Sequence, residues 1–301
     1  MKNMKKWLLD VLRGMVIGVA NIIPGVSGGT MMVSMGIYDT LIYCITHLFK
    51  QLKKSLLTLL PYGVGMVAAL AGLSFIITGC MDHFPLPTAC MFIGLILGGV
   101  PAIWKEMKHE KKGAVGIVLL ILSFALIVGM QLMKTENVAV IELSVLEVAK
   151  LFCLGCIASA TMVIPGVSGS MILMILGYYR PVIDAIKGLM TALQAMDFAA
   201  LLTNAGILIP FGVGVVIGIF AIAKLIEWLL HKAKGPTYCV IMGLVVSSPV
   251  VVLMEAFANG AQLSFWTAVC SVITLCAGYA VAYMMSRLDE KVEKEKEEKK
   301  A

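Results

Sequence analysis

A proline, two glycines and a hydroxyl recur in one short phrase. Ile23-Pro24-Gly25-Val26-Ser27-Gly28 returns as Ile164-Pro165-Gly166-Val167-Ser168-Gly169, an offset of 141 positions (164 − 23). Proline cannot continue a helix from the preceding turn, so each phrase must end one. The glycines let the backbone turn and leave its N–H groups bare. Gly29 and Thr30 extend the first copy and Ser170 the second. Each copy therefore reads as the start of a new helix, with Ser27 and Thr30 as cap candidates in the first and Ser168 and Ser170 placed likewise in the second. A helix N-terminus with open amides is an anion site. Small residues also cap and pack hairpins in membranes, but the repetition of the phrase favours the anion reading. Covalent chemistry is not expected, because no Glu or His stands near either phrase to act as base to Ser27 or Ser168.

Ionisable residues inside apolar runs are expensive and point to function. Arg13 lies 11 residues before Pro24 (24 − 13) and Asp39 lies 11 after Gly28 (39 − 28). If both arms are helical, the two share a depth and can pair. In the second copy Leu154 stands for Arg13 and Arg180 for Asp39, so Arg180 is a lone cation unless Asp184, one turn on, holds it. Lys150 and Asp184 stand at comparable distances from their own phrase. The competing reading of Arg13 is snorkelling, since Trp7 is only ~9 Å away at the helical rise. No metal spacing is visible: His47, His109 and His231 sit in or beside basic connections, and His83 follows Asp82 in a turn. Cys153 and Cys156 have redox-motif spacing but lie in an apolar stretch. The eight cysteines read as small buried apolar residues.

The elements that must hold these residues are membrane helices. Hydrophobic residues make up 60% of the chain and charged ones 14%, which describes a polytopic membrane protein. Apolar runs at Leu56–Gly79, Pro85–Trp104, Gly113–Met133, Leu201–Leu230, Gly235–Ala256 and Leu263–Ser286 each approach the ~20 residues that cross hydrocarbon. Two more, Trp7–Leu48 and Leu143–Met190, are broken by the Pro-Gly phrase. No removable signal peptide is expected before Trp7, and the Lys/Glu tail from Arg287 has no assigned role. Other matches support a repeated unit: Gly36 with Gly177, Tyr38 with Tyr179, Pro61-Tyr62-Gly63-Val64-Gly65 with Pro210-Phe211-Gly212-Val213-Gly214, and Pro87-Thr88 with Pro236-Thr237.

Lysines cluster at the N-terminus, at Lys50–Lys54, Lys105–Lys112 and Lys224–Lys234, and in the tail, whereas Thr135–Glu142, Gln194–Asn204 and Glu255–Gln262 are poor in them. The positive-inside rule places the first set in the cytoplasm. Each broken run then enters and leaves on one side, as a hairpin followed by three crossings. The odd count turns the second copy upside down. The expected fold is an all-α polytopic inverted-topology repeat: residues 1–141, then 142–287 inverted, then a charged cytoplasmic tail at 288–301. Both termini are expected in the cytoplasm. The hairpins read as re-entrant, because exposed backbone at depth is tolerated only against protein or a wet cavity.

Arg13-Gly14, Ala20-Asn21-Ile22-Ile23-Pro24-Gly25-Val26-Ser27-Gly28-Gly29-Thr30 and Gly36-Ile37-Tyr38-Asp39 resemble the bacterial PopT family. The likeness extends to about Arg287. It implies a translocase that returns undecaprenyl phosphate to the cytoplasmic leaflet of the bacterial cell membrane for cell-wall synthesis. It also implies substrate contacts at Arg13, Asn21, Asp39 and the two phrases. Members of that family often have an acidic residue where Arg180 stands, which leaves the role of Arg180 apart. Such a lipid has a tail content in the bilayer and a phosphate that is not. Amide-lined tips and arginine forks would replace its lost water, and rocking of the two halves would alternate access. Expected partners are the polyprenyl phosphate and membrane lipids. No cofactor and no nucleic acid are implied, and Asp39 is the obvious titratable candidate for coupling. The alternatives are a polyprenyl-diphosphate phosphatase and a small inorganic anion carrier.

Overall fold

The computed structural model describes residues 2–23, 26–108, 113–133, 139, 141 and 144–297, and among them every regular element is a helix. In order these are α1 Lys2–Ile22, α2 Gly28–Ser34, α3 Tyr38–Thr46, α4 Leu52–Gly72, α5 Ser74–His83, α6 Pro85–Lys108 and α7 Gly113–Leu132. They are followed by α8 Val145–Val163, α9 Gly169–Ile175, α10 Tyr179–Ala195, α11 Phe198–Lys232, α12 Lys234–Ala258 and α13 Phe265–Glu297. Helices α4, α6, α7, α8, α11, α12 and α13 are long and apolar enough to cross a bilayer. The chain is a multi-pass membrane protein.

Pro165 acts where expected. Helix α8 ends at Val163, and Ile164, which precedes Pro165, is extended (φ −75°, ψ 123°). Pro24 and Gly25 lie outside the described residues, as do Lys111, Lys112 and most of Thr135–Glu142. The arms that follow the phrases depart from expectation. A single helix running from each phrase is expected, but each arm is split in two, α2 from α3 and α9 from α10. Gly36 (φ +71°) and Gly177 (φ +79°) stand in the left-handed region. Ile37 N–H reaches Met32 O (3.0 Å) and Gly36 N–H reaches Val33 O (3.0 Å). Tyr178 N–H reaches Leu173 O (2.9 Å) and Gly177 N–H reaches Met174 O (3.0 Å). This is the same glycine-terminated stop in both places. Beyond Gly177 the chain turns by 110°. The count that gives Arg13 and Asp39 a shared depth therefore crosses a break at Gly36. A second break divides the Leu56–Gly79 run at Leu73, where α11 in the matching place is unbroken.

The other repeated residues are packing positions. A side chain added at Gly65 would strike Val11 O, and one at Gly214 would strike Phe152 O. Additions at Gly14 and Gly155 would strike Tyr62 O and Phe211 O. Helices α1 and α4 thus meet as α8 and α11 do, backbone to backbone. Such approach holds helices together where lipid is as apolar as the side chains. The hydroxyl of Thr88 donates to Cys80 O (3.1 Å) and that of Thr237 to Leu229 O (3.2 Å), closing both junctions alike. Helices α6 and α12 touch at the centre, with Ile96 and Val245 fully buried. Helix α13 packs along α6, and α7 along α12.

Candidate functional site

The two Pro-Gly phrases meet. Thr30 is fully buried, and its Oγ1 accepts a 2.7 Å hydrogen bond from the Gly166 N–H. A side chain on Gly29 would stand 3.2 Å from the Ile164 carbonyl and from Pro165 Cα. Gly166 (φ +82°) has no room either, since a side chain would strike Leu244 O. Tyr38 adds a third tie, its hydroxyl donating to Val163 O at 3.1 Å. The first tip is thereby clamped onto the end of α8.

Ser27 and Ser168 occupy the N-cap positions of α2 and α9 in extended conformation, yet neither side chain bonds the helix it begins. The Ser168 hydroxyl bonds that of Ser170 at 2.8 Å. The Ser27 hydroxyl is buried and has no hydrogen-bond partner among the described residues. Thr30, expected as a cap, bridges the tips instead. Helices α2 and α9 leave their first-turn amides without carbonyl partners within the helix, at Gly28 and Gly29 in one and at Gly169 and Ser170 in the other. A polar side chain lies over each start: Asn21 Oδ1 would be 2.9 Å from a side chain on Gly28, and Thr161 Oγ1 2.8 Å from one on Gly169. Val26, Ser27, Gly28, Gly29 and Thr30 are buried, while Ser168, Gly169 and Ser170 are half-buried.

The charged candidates lie elsewhere. Arg13 is 1% exposed and stands nine residues before the end of α1 (22 − 13), about 14 Å at the helical rise. Its Nη1 donates to Asp10 Oδ1 (3.2 Å) and its Nη2 to Met285 O (3.1 Å). Tyr62 donates to the same Asp10 oxygen at 2.9 Å. Asp39 accepts from the Tyr238 hydroxyl at 2.8 Å. Arg180 is exposed at the start of α10 and makes no ion pair among the described residues, with Asp184 or otherwise. Lys150 pairs with Glu147 (3.0 Å), which also accepts from Tyr178 (2.8 Å). Asp10 and Glu147 escaped the sequence reading although each stands three residues before its base, a spacing that puts both on one helix face.

A carboxylate in a cavity that reaches the first tip was also missed. A cavity of about 450 Å³ reaches the first tip at Ile22 and Ile23 and is lined as well by Thr78, Asp82, Glu255 and Asn259. Glu255 accepts from Gln131 Nε2 at 2.9 Å. It sits at the end of α12, and only the packing of α12 beside α6 brings it there.

A family profile described as undecaprenyl phosphate translocase-like matches the chain over residues 17–258 and over 191–298. A polyprenyl-phosphate transporter of Staphylococcus aureus is 29% identical over 288 residues, 94% of this chain and 97% of that protein. One of Vibrio cholerae is 28% identical over 258 residues, 80% of this chain and 76% of that protein. No solved structure matches.

Proposed function

The chain belongs to the undecaprenyl phosphate translocase-like family, and from that premise we propose that it carries undecaprenyl phosphate from the outer to the cytoplasmic leaflet of a bacterial cell membrane. The phosphate is held where the two Pro-Gly-Val-Ser-Gly tips meet. One observation supports this most: beside the Thr30–Gly166 bridge, Ser27 presents a buried hydroxyl with no hydrogen-bond partner among the described residues. A phosphate oxygen there would satisfy it, together with amides of Gly28, Gly29, Gly169 and Ser170. An isolated anion in hydrocarbon costs tens of kcal/mol by ideal transfer; fixed amides replace the lost water without reorganising.

The matched contacts of α1–α4 and α8–α11, and of Thr88 and Thr237, support an inverted repeat with a re-entrant hairpin in each half. In this reading the lysine-rich connections face the cytoplasm, and the halves rock about the joined tips. Asn21 and Thr161 line the phosphate path. Arg180 attracts the headgroup at the external mouth. Arg13 acts at one remove, pairing with Asp10 within α1 and tying that helix to the α13 backbone. Asp39, held by Tyr238, steadies the first hairpin against α12.

The test is purified protein in liposomes offered labelled undecaprenyl phosphate, undecaprenyl diphosphate, chloride and inorganic phosphate in turn. Only the lipid monophosphate should change leaflet. Release of phosphate from the diphosphate would mean a phosphatase, and uptake of chloride or free phosphate a small-anion carrier.

A further inference from the structure

Apart from the tips, the molecule has a long apolar groove of about 580 Å³ between α1, α5, α6 and α13. On α1 its wall is Leu12, Met15, Val16 and Val19, the spacing of one helix face. On α13 it runs from Cys270 to Met285, about 22 Å at the helical rise. It is cut into the core rather than laid on the surface. Val19, Phe92 and Leu95 form a floor only 8%, 3% and 5% exposed, while Leu12 and Met91 stand on the rim at 44% and 39%. Two hydroxyls lie along it, and both are spent internally: Thr88 donates to Cys80 O and Thr274 to Pro87 O (2.7 Å). The walls thus offer nothing to a polar ligand and a deep, branched apolar surface to a hydrocarbon chain.

The groove and the tip cavity adjoin along α1, where the face of Leu12, Met15, Val16 and Val19 in the groove is followed one turn on by Ile22 and Ile23 in the cavity. Helices α1, α5 and α6 wall the groove, and the same three wall the cavity. Ile77 and Thr88 face the groove; their neighbours Thr78 and Ala89 face the cavity. A molecule with an anion at the tips and a long apolar chain would lay that chain along α1.

We propose that this groove seats the isoprenoid tail of the polyprenyl phosphate next to its headgroup, so that the tail is recognised by the protein and not left wholly to the bilayer. The inference rests on the transport reading above. Its occupant is the prenyl chain rather than a phospholipid acyl chain, because only the former is attached to the group the tips hold.

Photocapture in the full-length protein tests it. The photoreactive residue p-benzoylphenylalanine is placed at Met91 on the groove rim and, as a control, at Val118, which is exposed on α7. Liposomes carry labelled undecaprenol, which has the tail and no phosphate, and labelled phosphatidylethanolamine. Met91 should capture undecaprenol over the phospholipid by roughly tenfold or more, a difference of about 1.4 kcal/mol, and Val118 should show no preference. Filling the groove with Val16→Trp should lower both this capture and undecaprenyl phosphate transport by a similar factor. Equal capture of both lipids at Met91, or unchanged transport by Val16→Trp, overturns the proposal. Undecaprenol has no group for the tips, so the two readings fail separately. Capture without any transport by the unaltered protein sinks the transport reading, and transport without capture sinks the groove.

Discussion

Among the described residues, none satisfies the buried Ser27 hydroxyl. A buried hydroxyl without a partner costs about 1–3 kcal/mol, so Ser27→Ala should leave the ligand-free protein at least as stable in thermal unfolding. If the hydroxyl meets the phosphate, the same change should lower transport roughly tenfold. Unchanged transport would reduce Ser27 to a packing role. Arg13 behaves oppositely. With Asp10 and Arg13 both buried, Arg13→Ala should destabilise by about 3–5 kcal/mol by orphaning a buried charge. Adding Asp10→Asn should recover much of that loss, and adding Asp39→Ala should not. Recovery with Asp39→Ala would restore the pairing that residue counting suggests. The phrases themselves were legible residue by residue, since proline, glycine and serine each have a fixed meaning at a helix start. The roles of Arg13 and Asp39 were not. Their separation from the tips was counted along arms assumed continuous, and Gly36 interrupts one of them.

At the level of elements, the joint between the hairpins matters more than either hairpin. Thr30→Val should strip the Gly166 N–H of its acceptor, costing about 1–3 kcal/mol, and should impair transport by letting the tips separate. Thr30→Ser, which keeps the oxygen, should behave nearly as the natural residue. Equal effects of the two changes would mean that Thr30 fills volume only. Helices and their apolar faces were readable from run length and composition, and so was the stop at Pro165. The split return arms were written in Gly36 and Gly177, which matched across the repeat but resembled ordinary small residues until their φ values were seen. The partnership of Thr30 with Gly166 joins residues 136 positions apart, and no local pattern encodes it.

For the whole molecule, the reading requires opposite sides for equivalent connections. Single cysteines placed at Lys53 and Lys105 should be protected from an impermeant reagent added outside intact cells, and one placed in 194–204 should be labelled. Labelling of 194–204 only after permeabilisation would end the inverted arrangement. Polytopic character was legible in the composition, and the family in its phrases. The approach of Glu255 to the first tip was not, because it depends on how α12 lies beside α6. The central claim is that both tips hold one phosphate. Phosphorus–nitrogen dipolar recoupling in solid-state magnetic resonance tests it directly, with undecaprenyl phosphate bound to protein nitrogen-labelled at Gly28 and Gly169. The phosphate should dephase both amides, and Thr30→Val should weaken both together. Dephasing at neither amide, or at one alone regardless of Thr30, would contradict the claim.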